Sequence, residues 1–116
     1  MTELDIYGIP NCDAVKKARR WLDGQGIAYR FHDYKKEGAD PARLARWIEA
    51  EGMDAILNRR GTTWRKLPEA QKAGIDAAKA VTLLQDNPSM IKRPVVEHPG
   101  GLLVGFDEDR WRDALQ

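Results

Sequence analysis

Leu4, Asp5, Ile6 and Tyr7 alternate apolar and polar side chains before the chain meets Gly8 and Pro10, the pattern of a strand running into a tight loop. Beyond Asp13 the apolar period lengthens: Ala14, Val15, Ala18, Trp21 and Leu22 recur at helical spacing. Lys16, Lys17, Arg19, Arg20 and Asp23 fill the opposite face. Gly24 and Gly26 are expected to stop this helix close to C-terminal cations. Residues 27–34 then alternate again, with Tyr29, Phe31 and His32 among them, and read as a second strand. A strand, a helix and a strand so closely spaced imply a right-handed parallel crossover.

The next apolar stripe, Leu44, Trp47 and Ile48, follows Asp40 as N-cap and Pro41 as first helical residue, and runs out at Gly52. A short helical turn is expected over 54–57. Residues 58–67 have no clean period and are expected to form a loop around a short helix capped by Thr62 or Thr63. Asp76 precedes Ala77, Ala80, Val81 and Leu84, a helix that ends at Asn87 and Pro88. Two apolar runs, 95–97 and 102–106, separated by His98, Pro99, Gly100 and Gly101, predict a hairpin. Asp107 then caps a last helix with Trp111 and Leu115 on one face. The simplest closed arrangement is an α/β fold with a four-stranded mixed sheet covered by helices. That is the outline of a thioredoxin-like fold with a helical insertion between its βαβ and ββα halves. Residues 1–116 are expected to form a single domain, with no repeat or low-complexity tract.

Composition narrows the function classes. Hydrophobic content of 42% and charged content of 32% describe an ordinary globular chain, and 19 basic against 18 acidic residues give no field that favours nucleic acid or an anionic membrane. After Met1, Thr2 and Glu3 the sequence moves directly into strand-like residues, without a basic-then-apolar leader or a run long enough to span a bilayer, so the cytoplasm is the expected location. One cysteine allows no internal disulfide and no Cys-rich metal centre. His32 and His98 have no metal-ligand spacing to Cys12 or to each other, so no metal is expected and both histidines read as structural or surface groups.

The candidate chemistry centres on Cys12. It stands where the loop meets the first helix, and free backbone amides with the positive end of the helix dipole favour a thiolate there. The thiolate is the reactive form of cysteine. Asp13, adjacent to it, opposes the charge. Val15 occupies the position a Cys-x-x-Cys pair would need, so any disulfide must be made with another molecule. Arg93-Pro94 admits two readings: a proline that simply begins a strand, or a cis bond that sets Arg93 against the thiol. In the cationic stretch Arg59, Arg60, Arg65 and Lys66, guanidinium is suited to gripping an oxyanion or a carboxylate, and Arg60 beside Gly61 is the choice over Arg59. Lys16, one turn past Cys12, reads equally as a support for the thiolate and as a solvent lysine.

Three stretches carry a resemblance: 8–18, with Pro10-Asn11-Cys12-Asp13; 60–67, with Arg60-Gly61-Thr62-Thr63-Trp64-Arg65-Lys66-Leu67; and Ile91-Lys92-Arg93-Pro94. Through them the chain resembles, over essentially its whole length, the ArsC-like family of arsenate reductases and Spx regulators, and is most similar to its YffB branch. The resemblance implies a thioredoxin-like fold, a nucleophilic cysteine at Cys12 and a cis proline at Pro94. It also implies a substrate site drawn from Asn11, Arg60, Arg93 and Pro94. Arsenate reductases of this family hold arsenate with three arginines and complete the reduction with glutathione and glutaredoxin. The third arginine is missing here, where Val104-Gly105-Phe106-Asp107 stands. The YffB-like expectation is therefore a glutathione-dependent thiol-disulfide reductase, with glutathione as co-substrate and a glutathionylated or thiol substrate. The alternatives are an arsenate reductase and a non-catalytic Spx-like regulator that binds RNA polymerase. Spx-type sensing uses the Cys-x-x-Cys pair that this chain lacks.

Overall fold

The computed structural model describes residues 4–116, so the leader reading at Met1, Thr2 and Glu3 lies outside the described residues. The chain divides into two compact units, one made of the residues up to Glu37 together with Arg93–Gln116, the other of Gly38–Lys92.

The first unit is a four-stranded mixed sheet with strand order β2-β1-β3-β4. Strand β1 is Leu4–Gly8, and helix α1, Asp13–Gly24, leads to β2, Tyr29–Asp33. β1 and β2 are parallel, with Tyr7 opposite His32, as the short crossover predicts. β3, Val95–His98, and β4, Gly101–Val104, make the expected hairpin. His98 pairs with Gly101, so the turn itself is only Pro99 and Gly100. β3 runs antiparallel to β1 with Tyr7 opposite Val95, which puts Pro94 at the end of β1 near Gly8. Helix α8, Glu108–Leu115, closes the unit, and the Asp107 side chain accepts from the Arg110 amide as its cap.

Alternation places Leu4 and Ile6 on one sheet face, where they bury with Ala18 and Leu22 of α1, Val96, Leu103 and Trp111. Each of the larger side chains contributes about 1.5–3 kcal/mol through burial. Trp111 is 1% exposed and meets Phe106 edge-on at 4.9 Å. Its indole Nε1 donates to the Gly105 carbonyl at 2.9 Å.

Some local expectations shift. No cation lies in the last turn of α1; Gln25 caps it, and Gly26 at φ 69° turns the chain. The second strand is shorter than 27–34, because Tyr34 starts a one-turn helix, α2, Tyr34–Glu37. Its amides are engaged locally, with the Lys35 N–H donating to the Asp33 carboxylate at 2.8 Å.

The second unit is helical: α3, Pro41–Glu51; α4, Met53–Ile56; α5, Thr62–Lys66; α6, Glu69–Lys72; α7, Ala77–Asp86; and a 3₁₀ turn, Pro88–Met90. α3 and α7 pack together through faces that bury Leu44, Trp47, Ile48, Ala80, Leu83 and Leu84. Asp76 caps α7 through the Lys79 amide, whereas Asp40 precedes α3 without a side-chain cap bond. Neither Thr62 nor Thr63 caps α5. Gly61 takes that position, and the Thr63 hydroxyl instead meets Ser89 at 2.8 Å. A bridge between Leu57 and Ile91, with the Lys92 amide donating to Ile56, ties the end of α4 to the last residues of this unit.

Candidate functional site

Sheet topology sets the site. β1 delivers the chain to the end of the sheet, Gly8 to Asn11 turn it, and Cys12 takes the N-cap position of α1 in extended backbone geometry, φ −137° and ψ 126°. The buried face of α1 follows at once with Val15, which is fully buried. Gly8 permits this close seating: a Cβ built on it would lie 2.7 Å from Val15 Cγ2, inside any real contact distance.

Cys12 is half-buried and carries the chain's free thiol. Burial is the largest influence on it and raises its pKa. The Val15 amide, a hydrogen bond from the Arg93 side chain, the Arg93 charge and the Ala14 amide outweigh that influence together. The net effect holds the thiol below its ordinary value and favours the thiolate. The helix end makes no side-chain capping bond of the kind an Asp or Ser would form. What it offers the sulfur is amide dipoles directed at a charge.

Arg93 reaches the sulfur because of the backbone that carries it. The Arg93-Pro94 bond is cis, and Pro94 is buried at the start of β3. The Pro94 carbonyl accepts from the Gly105 amide at 2.8 Å, and the Gly105 carbonyl accepts from Trp111 Nε1. The Arg93-Pro94 segment is thus tied through Gly105 to the aromatic core of the same unit. Gly105 has φ 75°, a conformation that suits glycine where β4 gives way to α8. Asp107 is occupied as the cap of α8.

Among the sequence candidates, Cys12, Arg93 and Pro94 come together in the first unit. Asn11 precedes Cys12 in the turn and is exposed. Lys16 is exposed too; its backbone amide donates to the Cys12 carbonyl at 2.9 Å, and the groups that lower the thiol pKa are the Arg93 guanidinium and two amides. Arg60 belongs to the second unit, exposed, with its amide held by the Asn58 side chain at 3.0 Å. Neighbouring Arg59 pairs with Asp54 and lies over the Trp64 ring at 5.6 Å. Among the described residues no group of three or more His, Cys, Asp or Glu is arranged to hold a metal, and no helix is long and apolar enough to cross a membrane.

Sequence reasoning missed the Gly105–Trp111 anchor and a polar cluster around His32. The imidazole is held at both ends, Nε2 to Asp5 at 2.8 Å and Nδ1 to Glu37 at 3.0 Å, and it stacks on Tyr7 at 4.5 Å. Burial pulls its pKa down, but the hydrogen bonds and charges of Glu37 and Asp5 together leave it raised. The alternation of Asp5 and Tyr7 was visible in the sequence, but their facing residues across β2 were not.

The chain is similar to known proteins over most of its length. Of solved structures, the YFFB protein is 54% identical with a TM-score of 0.95, covering 97% of this chain and 99% of its own. An arsenate reductase (ArsC) related protein from Brucella melitensis is 49% identical with a TM-score of 0.76, over 99% and 96%. Of curated relatives, a protein of Haemophilus influenzae with no assigned function is 40% identical over 97% of this chain and 98% of its own. The global transcriptional regulator Spx of Listeria innocua is 29% identical, over 95% and 85%. The ArsC family profile matches residues 7–114. With a match that runs through both the Cys12 helix and the Arg93-Pro94 segment, the chain belongs to the ArsC family.

Proposed function

We propose that this protein is an oxidoreductase, a glutathione-dependent thiol-disulfide reductase that works through Cys12 alone. The observation that carries the reading is the Arg93 side chain hydrogen-bonded to the Cys12 sulfur at the start of α1, in a chain with a single cysteine. The Cys12 thiolate attacks the glutathione sulfur of a glutathionylated substrate. One S–S bond forms between Cys12 and glutathione as the substrate's bond breaks, and the substrate leaves as a thiolate that takes up a proton. A second glutathione, as thiolate, attacks the mixed disulfide, regenerates the Cys12 thiolate and departs as oxidised glutathione. Glutaredoxin is an alternative reductant for that second step. Asn11, which precedes Cys12 in the chain, and Pro94, which follows Arg93, are proposed to border the substrate, Arg93 and Arg60 are proposed to engage glutathione carboxylates, and Lys16 is assigned a supporting part.

An arsenate reductase is the second reading, favoured by the ArsC-related relative from Brucella melitensis. Against it stands the 104–107 stretch, in which Gly105 braces Pro94 and Asp107 caps α8, so neither offers a cation to an oxyanion. A regulator that binds RNA polymerase is the reading that the Spx relative supports, and the missing Cys-x-x-Cys pair weighs against a redox sensor of that type.

The test is the rate of Cys12 alkylation against pH for wild type, Arg93→Ala and Arg60→Ala, with turnover of a glutathionylated peptide and of arsenate measured in parallel. A depressed wild-type midpoint that rises in Arg93→Ala, with a Cys12–glutathione adduct of the expected mass, supports the proposal. Arg60→Ala is expected to raise KM for the glutathionylated peptide. An ordinary thiol titration in all three proteins overturns the enzyme reading. Arsenate turnover that depends on Cys12 and exceeds turnover of the peptide replaces it with the second.

A further inference from the structure

The first turn of α1 must hold its amides in place for the sulfur at its N-cap, and the end of β1 seats that turn. Val15 is 0% exposed and lies directly over Gly8, the last residue of β1. A side chain at position 8 would begin 2.7 Å from Val15 Cγ2, with the rest of Val15 at 3.6 and 3.8 Å. Valine is branched at Cβ and has essentially one rotamer in a helix, so it cannot swing away as a lysine tip would. A methyl group at position 8 therefore displaces the turn itself.

We infer that Gly8 and Val15 form a positioning pair, a glycine at the end of β1 and a branched side chain seated on it, which sets the first turn of α1 against the Cys12 sulfur. The same residue that rests on Gly8 carries the amide that does most among the backbone groups to favour the thiolate, with Ala14 beside it. The two residues act on the reacting atom through the helix, without touching it. The attraction between an amide dipole and an anion depends on angle and distance, so a displacement of a few tenths of an ångström weakens it without unfolding the unit.

The inference rests on Cys12 being the reactive group, and the experiment separates the two ideas. Alkylation of Cys12 with iodoacetamide across pH is followed in wild type, Gly8→Ala, Val15→Ala and the double variant Gly8→Ala/Val15→Ala, each checked for folding by circular dichroism. Gly8→Ala crowds the contact and Val15→Ala empties it. Both are expected to move the midpoint upward and slow alkylation at neutral pH roughly threefold, the loss that follows when the favourable field of a helix N-terminus on an anion is weakened. The double variant gives the added methyl the space vacated by valine, and is expected to lie closer to wild type than either single change. Should Gly8→Ala fail to fold, the recovery of the double variant relative to Val15→Ala still decides the matter. Midpoints unmoved in the folded single variants, or shifts that simply add in the double, overturn the pairing. A wild-type midpoint at the ordinary cysteine value instead refutes the proposed function, which the variants do not address.

Discussion

Replacing Trp111 by Phe isolates one bond. The ring remains aromatic and can keep an edge contact to Phe106, but the donor to the Gly105 carbonyl is gone. In the wild type that bond is 2.9 Å long and joins a side chain that is 1% exposed to a backbone that is also fastened to Pro94. Loss of the hydrogen bond to this part-buried carbonyl costs about 1–2 kcal/mol. The space left by the smaller ring adds about 1 kcal/mol, well below the ~3–5 kcal/mol of a full truncation to alanine. Trp111→Phe should therefore destabilise by about 2–3 kcal/mol and Trp111→Ala by about 4 kcal/mol, large fractions of the ~5–15 kcal/mol typical of a domain. Urea unfolding followed by far-ultraviolet circular dichroism measures the difference. Hydrogen exchange at the Gly105 amide shows whether the bond to Pro94 loosens with it. A Trp111→Phe protein within about 0.5 kcal/mol of wild type, with Gly105 protection unchanged, would refute the view that the indole N–H anchors this segment.

Further outcomes follow from titration and capping. Because His32 has a raised pKa in the folded chain, its bonds to Asp5 and Glu37 stabilise fully below its ordinary value near about 6.5 and fade as pH rises through the folded value. The stability gap between wild type and His32→Gln should thus be widest below about pH 6.5 and narrow on the alkaline side; a gap that widens above neutrality contradicts the assignment. Asp76→Ala and Asp107→Ala each remove a side-chain cap and should cost about 1 kcal/mol in chemical unfolding. Asp40→Ala removes none and leaves Pro41 at the helix start, so it should cost well under half as much; equal losses at Asp40 and Asp76 would show that the capping bonds do not carry the difference.

The parts legible in the sequence are those written in local chemistry. A run with a strict period and a proline or glycine at its end, such as Pro41 before α3 and Gly52 after it, names its own limits. Asp76 and Asp107 could be read as caps because the bond they make lies three residues away along the chain. Cys12 could be placed at a helix start for the same reason. The α5 cap went to Gly61 because the Thr63 hydroxyl found Ser89, 26 positions distant, and no local pattern records such a competitor. The short helix α6, between Pro68 and Ala73, has too few residues to show a period. His32 looked like one more polar residue on a strand because Asp5, 27 positions earlier, becomes its neighbour only when β1 and β2 align. In the site, the position of the thiol was local information, and its contact with Arg93 was carried by a motif resemblance rather than by spacing.

The strand order β2-β1-β3-β4 has a consequence in time. A ribosome makes β1, α1 and β2 first, then the whole helical unit, and only afterwards β3, whose place is beside β1 in the middle of the sheet. Such long-range pairing is late in folding, because a long loop must close before its contacts reward it. Until residues 93–105 have emerged, the nascent thiol has no guanidinium in front and no Gly105 to brace one. On the proposed function, the contact with Arg93 that favours the thiolate is made only with the closing of the sheet.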